Sequence, residues 1–168
     1  MLKRLLKQLI GAPVPAASLP PPPAPEPSLA QALALMRSRD YAEAISLCED
    51  LIARDAAAPA PWELLGAIAL ERGENEIARE RFETALGLAG DSLHALCNAV
   101  EANRQAGYHA RALELGSRAL ALDPDYAPAM HGQALTLQSC WRMDEALAVY
   151  RRLAQQHPDA SQAFAGYL

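Results

Sequence analysis

A recurrence of alanine at one fixed spacing runs through most of this chain and constrains its fold more than any other feature. The column consists of alanines that recur every 34 residues without drift: Ala44, Ala78, Ala112 and Ala146. A fixed period of about 34 residues is typical of solenoid proteins, in which each unit is a helix hairpin that buries its apolar face by stacking on its neighbours. The sequence therefore predicts an array of stacked hairpins rather than one closed core.

Other columns recur in the same register and alternate between large and small side chains. They are Trp62, Leu96, Met130 and Phe164; Ala32, Gly66, Val100 and Ala134; Cys48, Phe82, Gly116 and Tyr150; and Leu51, Ala85, Ala119 and Leu153. Where a large side chain of one helix packs against the other helix, that helix needs a small residue. The alanine column is therefore predicted to mark the closest helix approach, and Cys48 to lie in the core.

The composition favours an all-α fold, because alanine is abundant, aromatic residues make up only 5% of the chain and strand formers are scarce. Asp40, Asp91 and Asp159 are predicted to cap helices, and Gly73 and Gly107 to lie in the turns between paired helices. The predicted helices span residues 28–38, 41–54, 60–72, 75–88, 92–106, 109–121, 126–139 and 143–156.

The register resembles the tetratricopeptide repeat family, whose units carry a Trp, a Leu-Gly pair, a later Ala, an aromatic residue and a Pro. The second unit matches best, through Trp62, Leu65, Gly66, Ala78, Phe82 and Ala85, although Gly90 stands where proline is usual. The third and fourth units supply Pro124 and Pro158. The resemblance implies an all-α, right-handed superhelical solenoid, with four repeats over residues 28–158 and the start of a fifth or capping helix over 159–168.

The N-terminal part of the chain, before Ser28, differs from the array. Residues 1–11 are predicted to form a basic amphipathic helix, and residues 12–27 a proline-rich linker that spans roughly 50 Å if extended. The helix is expected to lie on an anionic membrane, to bind a partner or the array itself, or to be a mere leader. Its contact residues would be Leu2, Lys3, Arg4, Leu5, Leu6, Lys7, Leu9 and Ile10.

Charge and motifs exclude several function classes. The chain carries a net charge of −5, and because residues 1–11 hold three basic side chains and no acidic one, the remainder carries −8. An acidic body disfavours nucleic acid. The three cysteines are far apart and indicate a reduced, cytoplasmic protein, and the sequence has no catalytic or metal-binding motif. We expect no enzymatic activity, no metal and no cofactor.

The resemblance also implies a binding surface, because in this family the first helices of successive hairpins line a concave groove for a peptide or helix. Counted from Pro59, Leu93 and Ala127, the predicted groove residues are Glu63, Ala67, Leu70, Glu71, His94, Cys97, Glu101, Arg104, Gln105, His131, Leu135 and Gln138. Among these, His94, Cys97 and His131 are the nearest approach to a metal cluster, and groove lining is the preferred interpretation.

These patterns predict a bacterial, cytoplasmic protein-protein interaction module, with possible membrane association through residues 1–11. The bacterial source follows from the Arg- and Ala-rich composition. An alternative is the N-terminal substrate-recognition domain of a larger bacterial transferase, because the array resembles those that precede glycosyl-, sulfo- or methyltransferase domains. The C-terminus discriminates between the two, and the sequence stops at SQAFAGYL, inside a fifth unit. A third hypothesis is a self-assembling scaffold that stacks through that end. The sequence predicts neither the partner nor the oligomeric state.

Overall fold

The computed structural model describes residues 28–159, which form eight helices, and each odd-numbered helix packs on the next to make a hairpin. The helices are α1 (Leu29–Ser38), α2 (Tyr41–Arg54), α3 (Pro59–Glu71), α4 (Asn75–Ala89), α5 (Leu93–Gln105), α6 (His109–Leu122), α7 (Ala127–Ser139) and α8 (Met143–Gln156). Each end lies within one residue of the predicted one. The helix and linker predicted over residues 1–27, and the predicted continuation over 160–168, lie outside the described residues.

Helix α1 begins at a capping box that follows the last residue of the proline-rich segment. The hydroxyl of Ser28 accepts a hydrogen bond from the backbone N–H of Gln31, and the Gln31 side chain accepts one from the backbone N–H of Ser28. This exchange satisfies two backbone donors that a helix start otherwise leaves without partners. The helical array therefore has a defined beginning at Ser28.

The alanine column lies in the core of the hairpins. Ala44, Ala78 and Ala112 are fully buried, and Ala146 is almost so. Cys48 is also fully buried, and burial raises the pKa of its thiol to about 11. The thiol therefore stays protonated at neutral pH and behaves as a small apolar core residue.

In the second and third hairpins a glycine on one helix faces a large side chain on the other, and the two hairpins place the glycine on opposite helices. In the second hairpin Phe82 covers Gly66 so closely that a Cβ atom on Gly66 would lie 2.8 Å from the ring. In the third hairpin the sizes are reversed, and a methyl group of Val100 lies 3.9 Å from the Cβ position of Gly116. The same space is filled from opposite sides, which keeps both hairpins densely packed.

The four turns inside the hairpins share one backbone conformation. Arg39, Gly73, Gly107 and Trp141 all have positive φ angles, between 61° and 84°. In each case the next residue donates its N–H to the carbonyl five positions earlier, as Glu74 does to Ala69 at 2.8 Å. This arrangement closes the helix end, and it favours glycine because a Cβ atom is strained in the left-handed region.

Trp141 occupies that position with a ring that is 84% exposed, so its backbone strain is not offset by burial of the side chain. We expect Trp141→Gly to raise the free energy of unfolding by about 1 kcal/mol, measured by urea denaturation. Trp141→Ala is the control, since it removes the ring and keeps the Cβ atom, and it should leave stability nearly unchanged. Equal gains from both substitutions would show that the ring, rather than the backbone, carries the cost.

The predicted N-caps are correct in part. Asp40 precedes α2, but its side chain makes no capping hydrogen bond, because its carboxylate accepts one from the Ser38 hydroxyl at 2.7 Å. The prediction for Asp91 is wrong: Ser92 caps α5, while Asp91 pairs with Arg118. The prediction for Asp159 is also wrong, because Pro158 and Asp159 are both helical and Asp159 therefore lies inside a helical segment rather than at its cap.

A partly buried polar cluster around Asn103 joins the second and third hairpins. The side-chain amide of Asn103 donates to the Oε1 atom of Glu83 at 3.0 Å and to the Ala99 carbonyl at 2.8 Å. Arg111 donates to both carboxylate oxygens of Glu83, at 3.0 and 2.9 Å. These hydrogen bonds hold the pKa of Glu83 below its ordinary value, the largest contribution coming from Arg111. The cluster fixes α4 against both helices of the next hairpin.

The inner side of the array is formed by the first helices of the hairpins. Among residues 28–159, α1 contacts α3, α3 contacts α5 and α5 contacts α7, whereas successive second helices lie farther apart. An array whose elements are closer on one side curves toward that side. The odd-numbered helices therefore line the concave face.

Candidate binding groove

The part of the concave face nearest the N-terminus holds an apolar depression of about 310 Å³, which we call the apolar trough. Four helices line it: α1, α3 and α5, with Phe82 contributed by α4. Its lining residues are Leu29, Leu33, Met36, Ala60, Glu63, Leu64, Ala67, Phe82, His94 and Asn98. The α1 side chains are only partly buried, although each is a large apolar residue. Glu63 is the one acidic residue among those that line the trough.

A second depression of about 570 Å³, the polar depression, continues along the concave face between α5 and α7. It is lined by Cys97, Asn98, Val100, Glu101, Arg104, Pro128, His131, Gly132 and Leu135. Asn98 lines both depressions, so they adjoin along the concave face and together make the candidate groove. A Cβ atom on Gly132 would lie 3.1 Å from a methyl group of Val100, which explains why a residue without a side chain stands there.

Ionisable groups in the groove are held in defined states. Burial alone would raise the pKa of Glu101, but hydrogen bonds from Arg104 and Gln105, both at 2.6 Å at their shortest, bring it below the ordinary value. Burial lowers the pKa of His131, so its imidazole is neutral at pH 7. Burial also raises the pKa of the Cys97 thiol to about 11. The polar depression thus carries a carboxylate that is already paired and a thiol that is not nucleophilic.

The predicted groove residues divide between these surfaces. Glu63, Ala67 and His94 line the apolar trough, and the polar depression includes Cys97, Glu101, Arg104, His131 and Leu135. The other four lie outside both depressions. Leu70 packs on the core, Glu71 accepts a hydrogen bond from the Tyr41 hydroxyl, Gln105 donates to Glu101, and Gln138 is exposed.

Sequence reasoning missed the contribution of α1. Leu29, Leu33 and Met36 precede Glu63, Ala67 and Leu70 by one full period each, so the register already assigned them to the groove. The count from Pro59, Leu93 and Ala127 begins at the second repeat and therefore leaves out α1, the most apolar part of the groove.

The described residues offer no other evident chemistry. Within residues 28–159, no group of three or more His, Cys, Asp and Glu side chains is arranged to hold a metal ion. His94 lies beside Glu63, with a closest N–O distance of 3.7 Å, and hydrogen-bonds Asn98 rather than converging on Cys97 and His131. No helix in this part of the chain is long and apolar enough to cross a membrane.

The fold and the groove define a helical-repeat solenoid with an open inner face. A family model described as tetratricopeptide repeat matches residues 29–76 and 64–127, which together span more than half of the chain. The chain belongs to the tetratricopeptide repeat family. Apart from its first residue, Ala127, the fourth hairpin of α7 with α8 lies beyond the matched residues.

Solved structures with the same fold include two of MamA. One, titled a crystal structure of MamA, superposes with a TM-score of 0.69 at 22% identity, covering 81% of this chain and 84% of that chain. The other is MamA 41-end from Desulfovibrio magneticus RS-1, with a TM-score of 0.69 at 16% identity, covering 77% and 73%. Likeness at this identity shows the fold alone, and it confirms the predicted all-α, right-handed superhelical solenoid. No curated protein matches this sequence.

Proposed function

We propose that this chain is a protein-protein interaction module whose concave groove binds an extended or helical segment of a partner protein. The observation that carries the proposal is that the apolar trough and the polar depression adjoin at Asn98 on the concave face. Peptide sites commonly combine an apolar groove, which supplies affinity, with a few polar groups that fix the register of the ligand. Membership of the tetratricopeptide repeat family supports a role as an interaction scaffold.

The groove also favours one kind of ligand. The trough accepts apolar side chains, and Glu63 at its edge has a histidine nitrogen 3.7 Å away as its nearest basic group. Glu101, in contrast, is already paired with Arg104 at 2.6 Å. A partner segment with leucine-like side chains on one face and a lysine or arginine near Glu63 would fit this arrangement best.

A displayed library of random peptides, selected on the full chain, tests this function. We expect enriched peptides to combine apolar residues at helical spacing with basic residues. Ala67→Arg fills the trough, so it should weaken a selected peptide by at least about tenfold, the effect of losing roughly 1.4 kcal/mol. Ala110→Arg is the matched control, because Ala110 is exposed at the start of α6.

Binding of the same peptide to the Ala110→Arg chain should stay within about twofold of wild type, well below that tenfold effect. Peptides that bind the Ala67→Arg chain as tightly as wild type would place the binding surface elsewhere. Failure to enrich any peptide on the wild-type chain and on the tail variant described below would contradict the proposed function.

A further inference from the structure

The apolar trough begins on α1, the helix that directly follows the N-terminal part of the chain and its cap at Ser28. Leu29 is the first residue of α1 and also lines the trough, and Leu33 and Met36 continue the same stripe along the helix. These three side chains face an open depression while remaining only partly buried. A segment that leaves the array at Ser28 therefore starts beside the most apolar part of the groove.

The chain itself contains a segment with the chemistry that the trough favours. Residues 1–11 carry Leu2, Leu5, Leu6 and Leu9 at helical spacing, together with three basic side chains and no acidic one. Apolar side chains match the lining of the trough, and the basic side chains match the carboxylates on the concave face.

One carboxylate of the trough is placed to receive those cations. Glu63 lines the trough and has only the weak contact with His94, whose imidazole is charged only when protonated. A charge-assisted contact from lysine or arginine would be stronger than this interaction.

From these observations we propose that residues 1–11 occupy the apolar trough of the same molecule, so that a partner must displace them to bind. The proposal rests on the proposed function of the groove and names its resident ligand. The leucines would pack against Leu29, Leu33 and Met36, with a basic side chain near Glu63.

The sequence between the segment and the array allows this return. Residues 12–27 contain eight prolines, but residues 16–19 read Ala-Ala-Ser-Leu and contain none. At about 3.1 Å per residue, the sixteen residues of this segment could reach roughly 50 Å. That reach exceeds the length of α1, about 15 Å for its ten residues, by more than threefold. Tethering at this distance raises the local concentration of the segment toward the millimolar range.

Nuclear magnetic resonance on the full chain tests the proposal. The tail variant replaces Leu2, Leu5, Leu6 and Leu9 with serine, and the control replaces Val14 and Leu19 of the linker with serine. We expect the tail variant alone to shift the resonances of Leu33, Met36 and Ala67, and to leave those of Ala110 in place. Wild-type resonances should not change on dilution, because the contact is intramolecular.

Identical spectra for wild type and the tail variant would overturn the proposal. Resonances of the wild type that change on dilution would also overturn it, because they would assign the contact to a second copy. A peptide selected as above should bind the tail variant about twofold to tenfold more tightly than wild type, since it no longer competes with the segment. Equal affinity would refute only the resident ligand and leave the proposed function intact.

Discussion

Gly66→Val is expected to lower the free energy of unfolding by about 3 kcal/mol, the upper part of the range for overpacking a core. The Cβ position of Gly66 already lies 2.8 Å from two carbon atoms of the Phe82 ring, and the two valine methyl groups would extend farther into it. The ring is buried and belongs to the same core cluster as Ala78 and Leu86, so it has little room to move.

Adding Phe82→Gly to the Gly66→Val chain should restore part of the lost stability. Phe82→Gly alone should cost about 4 kcal/mol, because it empties a space that an aromatic ring fills. The double variant reproduces the combination found in the third hairpin, where Val100 stands opposite Gly116. We therefore expect a favourable coupling energy of about 1–3 kcal/mol between the two changes.

Urea denaturation followed by circular dichroism measures all three variants, and Gly87→Val provides the control. Gly87 is an exposed residue of α4 with no heavy atom within 4 Å of its Cβ position, so valine meets no obstacle there. Its unfolding free energy should stay within about 0.5 kcal/mol of wild type. A Gly66→Val chain as stable as the Gly87→Val chain would disprove the packing argument.

Asn103→Asp is expected to be the most damaging isosteric change, at about 3–5 kcal/mol near neutral pH. Asn103 is 1% exposed, and its amide nitrogen donates to Glu83 and to the Ala99 carbonyl. Aspartate would replace that donor with a second carboxylate beside the first. Asn103→Ala, which only removes the hydrogen bonds, should cost about 1–3 kcal/mol.

The stability lost on Asn103→Asp should depend on pH, and the direction of that dependence follows from the two carboxylates. In the wild type, Arg111 and Asn103 hold the pKa of Glu83 down, so Glu83 stabilises the fold above its unfolded pKa, and this stability is lost as pH falls through the folded pKa. In the variant, two adjacent carboxylates raise the pKa of one of them, so acid stabilises the fold by protonating that group. The difference in stability between the two chains should therefore shrink as pH falls from neutrality toward the ordinary pKa of a carboxyl group.

Urea midpoints at several pH values check this, with Asn98→Asp as the control on the same helix. Asn98 lies on the groove side and is not fully buried, so aspartate there should change stability by no more than about 0.5 kcal/mol at any pH in the series. A deficit for Asn103→Asp that is constant with pH would show that charge repulsion is not its cause.

Periodicity predicts what every repeat shares and fails where one repeat differs from the others. The alanine column and the helix bounds follow from the register, because each hairpin solves the same packing problem. Asn103 could not be assigned a role, since its column otherwise holds Leu35, Ala69 and Leu137. Its partner Glu83 lies in the preceding hairpin, 20 positions away, and no spacing rule connects the two.

The groove shows the same division between shared and individual features. The register places eight of the predicted residues along the two depressions, and with one more period it would have placed Leu29 and Leu33. The register could not show that Glu101 forms an ion pair with Arg104, because an ion pair within one helix depends on the side-chain rotamers. Asp91 was misjudged for a related reason: Arg118, 27 residues later, binds it and leaves the cap to Ser92.

The reversed pairing of bulk between Gly66 with Phe82 and Val100 with Gly116 has a consequence for how such a chain can be recombined. A graft that moved α5 alone onto α4 would set valine against phenylalanine, and one that moved α3 alone onto α6 would set glycine against glycine. The first graft collides and the second leaves a void. The smallest piece that duplication or engineered shuffling can transplant intact is therefore the whole hairpin, because each helix carries only half of the fit.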